Sequence, residues 1–84
     1  MNLIQQFVNK KLNNMTSKEL LKYSTEYGVS ITSEQADKIV TLIQGKHINI
    51  YDVQERLQLL KQIAKVTSPA TAQQINTLFQ KLLK

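Results

Sequence analysis

The hydrophobic positions recur at helical spacing in five stretches of the chain. In the first stretch the apolar residues lie on one broad face, which consists of Ile4, Phe7, Val8, Leu12 and Met15. Such a face is typical of a helix that packs one side against a core. Similar faces occur within residues 16–28, 33–44, 50–66 and 68–83. The pattern predicts five helices, the first over residues 2–14 with its whole apolar face directed towards the core.

Residues that cap helix N-termini stand at the start of the other four helices: Thr16, Thr32, Asn49 and Ser68. Thr16 and Thr32 are followed three positions later by Glu19 and Gln35, which is capping-box spacing. In a capping box each side chain accepts a hydrogen bond from the backbone N–H of the other residue. We therefore expect these helices to begin at the capping residues, with Asn49 starting the fourth helix at about residue 50.

Two short segments of alternating apolar and polar residues come after the two glycines, Gly28 and Gly45. Glycine ends many helices because it adopts the left-handed conformation at little cost. Alternation with a period of two is typical of extended chain, so we expect a tiny two-strand bridge between residues 29–31 and 48–50. The predicted fold is all-α: a compact bundle of about five helices, forming a single domain over residues 1–84.

The fourth helix has an apolar stripe wider than a single packing contact requires. A stripe of that width is usually buried on two sides, either by the chain itself or by a partner. We expect an interface on the fourth and fifth helices, occupied by another protein or by a second copy of the chain as a homodimer. The candidate interface residues are Leu59, Ile63, Val66, Phe79 and Leu83.

The net charge of +5 is concentrated in the last third of the chain. Residues 1–55 contain six lysines and six acidic residues, whereas residues 56–84 contain five basic residues and no acidic one. These five are the candidate contacts to an anionic partner: Arg56, Lys61, Lys65, Lys81 and Lys84. Because they are spread out, a solvated polar face is the favoured interpretation, and weak nucleic-acid binding is the alternative function.

Residues suited to catalysis are scarce. His47 is the sole histidine of the sequence, and cysteine is absent. With Asp52 nearby, His47 could act as a base oriented by a carboxylate. A lone histidine in a loop is more often structural or simply exposed, and the acidic residues are accounted for by helix first turns and polar faces. The sequence therefore predicts no enzyme, and it indicates no cofactor.

Two known helical scaffolds are similar to parts of the chain. Residues 16–44 resemble the helix–extended–helix modules of the SAP and LEM type, some of which bind nucleic acid. That stretch has three lysines and four acidic residues, which disfavours contacts to phosphate. The helix pairs also resemble an EF-hand, whose loop needs oxygen ligands at positions 1, 3 and 5 before its glycine. Those positions hold Tyr23, Thr25 and Tyr27 before Gly28, so we expect no metal site.

The sequence gives no sign of a membrane span or of a signal peptide. Its apolar runs are shorter than the roughly 18 residues that cross a bilayer. The lysines of the first helix come late, whereas a signal peptide has its charge first. Membrane-surface binding by the first helix is disfavoured because only two lysines accompany its apolar residues. We expect a cytoplasmic protein.

Several longer runs resemble a single family. These runs are residues 19–23, 28–32, 35–40, 45–50 and 63–72, of which the run from Gly45 to Ile50 and the Thr-Ser-Pro start of the fifth helix are the most specific. They resemble a family of short proteins from Bacillus-like Firmicutes that is known as a domain of unknown function. The resemblance implies a stand-alone bacterial cytoplasmic protein and brings no activity, ligand or site residue. The favoured function is a small non-enzymatic protein-interaction module.

Overall fold

The computed structural model describes residues 3–82, which form five α-helices and contain no strand. The helices are α1 (Leu3–Asn13), α2 (Ser17–Glu26), α3 (Ser33–Ile43), α4 (Val53–Val66) and α5 (Pro69–Leu82). The prediction of an all-α bundle of about five helices is therefore confirmed. The predicted two-strand bridge between residues 29–31 and 48–50 is wrong, because side chains of α1 bind the backbone of residues 48–50 instead.

Both predicted capping boxes are present. The Thr16 hydroxyl accepts from the Glu19 N–H at 3.2 Å, and the Glu19 carboxylate accepts from the Thr16 N–H at 3.1 Å. Thr32 and Gln35 form the same pair of bonds at 3.1 and 2.9 Å. These bonds satisfy N–H groups that have no partner within the first turn of a helix.

The start of α4 differs from the prediction. Asp52 is its N-cap, because the Asp52 carboxylate accepts from the Glu55 N–H at 3.1 Å, and α4 begins at Val53. Asn49 instead accepts from the Tyr51 N–H at 3.1 Å, within the connection that precedes the helix. A carboxylate at the N-terminus of a helix interacts favourably with the helix dipole as well as with the free N–H groups.

The glycine at the end of α2 closes a Schellman motif. Gly28 has φ +73, its N–H donates to the Thr25 carbonyl, and the Val29 N–H donates to the Ser24 carbonyl at 2.7 Å. Gly45 also has a positive φ, of +70, but its N–H donates at 3.3 Å to the carbonyl of Asn13 in α1. The end of α3 is thereby linked to α1.

The core lies mainly among α2, α3, α4 and α5, and α1 contributes Leu12 to it. The two-residue connection between α4 and α5 makes these helices antiparallel neighbours, and α3 packs against both α2 and α4. The largest fully buried apolar side chains are Leu20, Ile39, Ile43, Ile50, Ile63, Ile75, Leu78 and Phe79. By contrast, α1 lies at the edge of the bundle, where its backbone makes the least contact with the other helices.

Side-chain amides hold α1 against residues 48–50. The Asn13 side chain accepts from the Ile48 N–H at 2.9 Å and donates to the Ile48 carbonyl at 3.0 Å. The Asn9 side chain accepts from the Ile50 N–H at 2.9 Å and donates to the side-chain oxygen of Asn49 at 2.9 Å. We call these two residues, Asn9 and Asn13, the asparagine clamp.

The spacing of the asparagine clamp matches that of an extended chain. Residues four apart on a helix rise about 6 Å along its axis, and alternate residues of an extended chain lie about 6.6 Å apart. Two amides on one face of α1 therefore meet the backbone groups that a neighbouring strand would otherwise bind. Because Asn9 and Asn13 satisfy these groups of residues 48–50, no pairing with residues 29–31 is needed.

The connection between α3 and α4, which contains residues 48–50, is strained at one position. His47 has φ +54, in the left-handed region, where a residue with a Cβ is about 1–2 kcal/mol less stable than in the right-handed region. Both backbone polar groups of the next residue, Ile48, are bonded by Asn13. The Gln44 side chain also donates to the Met15 carbonyl at 2.9 Å. The contacts to Asn13 and Met15 thus hold the strained backbone in place.

We expect Asn13→Ala to destabilise the fold by about 2–3 kcal/mol, because it removes the partners of two partly buried backbone groups of Ile48. The matched control is Asn14→Ala. The Asn14 side chain is exposed and donates to the Lys10 carbonyl of its own helix, so its loss should change stability by about 0.5 kcal/mol or less. Urea unfolding of both variants measures the difference. Equal stabilities for the two variants would contradict the clamp.

The capping box of α2 predicts a pH dependence. The Thr16 backbone N–H, the Thr16 hydroxyl and then Lys11 lower the pKa of Glu19 below its ordinary value of 4.5. A lowered pKa contributes stability above pH 4.5, and that contribution is lost as the pH falls through the folded-state pKa. Glu19→Gln keeps the hydrogen bond, as Gln35 shows in α3, but does not titrate. The stability advantage of the wild type over Glu19→Gln should therefore shrink between about pH 6 and pH 3 in urea unfolding. A stability advantage that stays constant over this pH range would contradict a lowered pKa of Glu19.

Candidate interaction surface

The predicted interface on α4 and α5 lies inside the bundle. Leu59, Ile63 and Phe79 are 2%, 0% and 1% exposed, so this fold does not present them at its surface. The reason is that α4 packs between α3 and α5, which cover the two sides of its wide stripe. Val66 is half-buried, and Leu83 lies outside the residues that the structure describes.

The most exposed apolar side chains lie instead on the first two turns of α1, and two less exposed ones, Val53 and Leu57, lie on α4. Leu3, Ile4 and Phe7 are 81%, 74% and 70% exposed. The prediction that Ile4 and Phe7 face the core is therefore wrong, and only the second half of the predicted face packs against the bundle. The asparagine clamp attaches α1 near its C-terminal end, so no other helix covers its first two turns.

These three side chains form one patch, which we call the α1 stripe: Leu3, Ile4 and Phe7. Residues three and four apart are neighbours on a helix surface, so Leu3 and Ile4 both adjoin Phe7. A half-buried side chain, Val8, connects the stripe to the core. The stripe is the uncovered half of a face whose other half is buried.

A cavity of about 270 Å³ opens beside the α1 stripe. We call it the α1 cavity. Phe7, Val8 and Tyr23 stand at its edge, and its floor consists of core side chains that are at most 4% exposed: Leu12, Met15, Ile50 and Phe79. A cavity with an apolar floor can accept apolar side chains of a partner, and methionine adapts well to irregular shapes.

The charged groups beside the cavity are largely paired. The Lys11 ammonium lies 3.4 Å from the Glu19 carboxylate, and Lys11 also lines the cavity. Lys10 is exposed and has no ion pair among residues 3–82. Within residues 3–82, the ion pair between Lys11 and Glu19 therefore leaves Lys10 as the unpaired cation next to Phe7. The surface offers apolar contact with little net charge.

Within residues 3–82, the predicted contacts to an anionic partner are spread over two helices and do not form one patch. Lys61 and Lys65 are exposed on α4, whereas the ammonium of Lys81 lies 5.7 Å from the centre of the Tyr27 ring. Lys65 and Lys81 each lie one residue before the end of their antiparallel helices, which places them about 15–20 Å apart. Arg56 is half-buried, and its Nε is buried without a hydrogen-bond partner. Lys84 lies outside residues 3–82.

The structure does not assemble His47 and Asp52 into a base. His47 is exposed, and the Asp52 carboxylate caps α4 through the Glu55 N–H. Within residues 3–82, no three or more His, Cys, Asp or Glu side chains are grouped so that they could hold a metal ion. None of the helices in this range has the length and apolar character needed to span a membrane.

The sequence identified part of the α1 stripe as apolar but not as exposed. Ile4 and Phe7 belong to the apolar face predicted for the first helix, whereas Leu3 does not. Nothing in a single amphipathic pattern shows how much of it the rest of the chain will cover. The cavity could not be predicted, because Ile50 and Phe79 reach it from distant parts of the sequence.

Comparison with known proteins gives a consistent result. A protein from Bacillus subtilis (strain 168) named "Uncharacterized protein YqfT" is 45% identical over 78 residues, which cover 93% of each chain. No solved structure shows significant similarity, and the likeness to SAP, LEM and EF-hand scaffolds is unconfirmed. A family described as "Protein of unknown function (DUF2624)" matches residues 1–83, and this confirms the resemblance predicted from the sequence. The chain thus belongs to the DUF2624 family of proteins of unknown function.

Proposed function

We propose that the chain is a small non-enzymatic protein-interaction module that binds its partner through the α1 stripe and the α1 cavity. The observation that carries this proposal is the exposure of three adjoining large apolar side chains, each at least 70% exposed, beside an apolar cavity. Single exposed apolar residues are ordinary, but a contiguous patch next to a concave site is typical of an interaction surface.

The size of the surface sets the expected strength of binding. The three side chains of the stripe present roughly 300–400 Å² of apolar area. Covering that area contributes about 8–10 kcal/mol before any cost is subtracted. Association costs of about 4–15 kcal/mol offset much of it, so the stripe alone supports weak binding. Insertion of partner side chains into the α1 cavity adds the contact that specific binding requires.

The remaining features fit a binding role better than a catalytic one. His47 is exposed, and Asp52 and Glu19 serve as capping groups, so these titratable side chains have structural explanations that need no catalytic role. A bacterial relative and the absence of cysteine support a cytoplasmic location. The alternative function, weak nucleic-acid binding, has less support because its candidate basic residues are dispersed over α4 and α5.

Photo-crosslinking tests the proposed function. A photoreactive phenylalanine analogue in place of Phe7 should crosslink to a protein when the producing bacteria are irradiated, because Phe7 lies between the stripe and the cavity. The matched control has the same analogue in place of Leu57, which is 56% exposed on α4 and outside the stripe. Product should form at position 7 at least about tenfold more than at position 57.

Two outcomes would contradict the proposal. One is the absence of any crosslinked protein at position 7, and the other is equal crosslinking at positions 7 and 57. A product at either position that disappears after nuclease treatment of the cell extract would favour the nucleic-acid alternative.

A further inference from the structure

We propose that the partner of the α1 stripe is a second copy of the chain, bound across a two-fold axis that passes near Phe7. This inference rests on the proposed function and names its partner. A two-fold interface uses the same patch on both copies, so that patch must be complementary to itself. The α1 surface meets this condition because a protruding apolar stripe and a recessed apolar cavity adjoin on one helix.

The order of these features along α1 determines how the two copies would meet. The stripe occupies the N-terminal half of the helix, and the cavity adjoins its C-terminal half. Two antiparallel α1 helices centred between Phe7 and Val8 therefore place each stripe over the cavity of the other copy. In this register Leu3 lies beside Leu12 of the partner copy. The length of α1, about 16 Å, allows each stripe to cover the cavity of the other copy.

Charge opposes this arrangement only weakly. Residues 1–55, which supply α1, have as many acidic residues as lysines, and the whole excess of +5 lies in residues 56–84. Each Lys11 is paired with Glu19 of its own copy. In the antiparallel register the two Lys11 residues are about 10 Å apart along the helices, and the two unpaired Lys10 residues are about 7–8 Å apart, close to the screening length of about 8 Å at physiological salt.

The area matches a weak but specific dimer. Two stripes of roughly 300 Å², together with the surface that covers them, give about 1,200 Å² of total buried area. That value lies at the lower end of the range for specific protein–protein interfaces. We therefore expect a dissociation constant of about 10–100 µM.

Sedimentation equilibrium of the full chain tests the inference. Between about 5 and about 500 µM, the weight-average mass of the wild type should rise from the 9.6 kDa of one chain towards twice that mass. Phe7→Asp should weaken this association roughly 100-fold, because each dimer would lose two buried phenyl rings and would remove two carboxylates from water in their place. The matched control, Leu57→Asp, places the same charge at an exposed apolar site on α4 and should associate like the wild type.

Phe7 is 70% exposed, so Phe7→Asp should keep the circular dichroism spectrum and unfolding midpoint of the wild type. This check separates a lost interface from a lost fold. A wild type that is monomeric at about 500 µM, or a Phe7→Asp variant that still associates like the wild type, would overturn the inference.

The identity of the crosslinked product at position 7 separates a failure of the dimer proposal from a failure of the proposed function. A product with the mass of two chains supports both proposals. A product with a different protein overturns the second copy as partner and leaves the proposed function standing, and no product contradicts both. A monomeric wild type that binds phosphatidylglycerol vesicles, with Phe7→Asp unbound, would overturn both in favour of a membrane surface.

Discussion

The arrangement of the molecule depends on two asparagine side chains that bind the backbone of a distant segment. Without a strand beside it, residues 48–50 would leave partly buried N–H and C=O groups unsatisfied, at a cost of about 1–3 kcal/mol each. Asn9 and Asn13 satisfy these groups from one face of α1. The same bonds help to fix where α1 lies, together with the burial of Leu12 in the core. The position of the edge helix thus follows from these polar contacts together with the burial of Leu12 and the packing of Val8.

The clamp also connects the fold to the proposed function. It attaches α1 by its second half, so the first two turns and their apolar side chains stay uncovered. It orients residues 48–50 so that Ile50 enters the core and forms part of the cavity floor. The stripe and the cavity are therefore consequences of one attachment. A change that releases the clamp should disturb both, whereas a change in Phe7 affects the surface alone.

Short-range features were predictable from the sequence, and long-range ones were not. The capping boxes at Thr16 and Thr32 involve residues three apart, so the local pattern identifies them. Alternation in residues 48–50 indicated extended chain but could not show that asparagines 35 to 41 residues away would bind it. The width of the α4 stripe indicated burial on two sides. It did not show that α3 and α5 would cover Leu59 and Ile63.

Amide hydrogen exchange at Ile48 and Ile50 tests the central claim most directly. Both N–H groups lie outside any helix, and in this account the side chains of Asn13 and Asn9 bind them. The account predicts that both amides exchange far more slowly than an exposed loop, and that Asn13→Ala removes the protection of Ile48 while α3 and α4 stay protected. Exchange of both amides in the wild type at the rate of an unstructured peptide would contradict it.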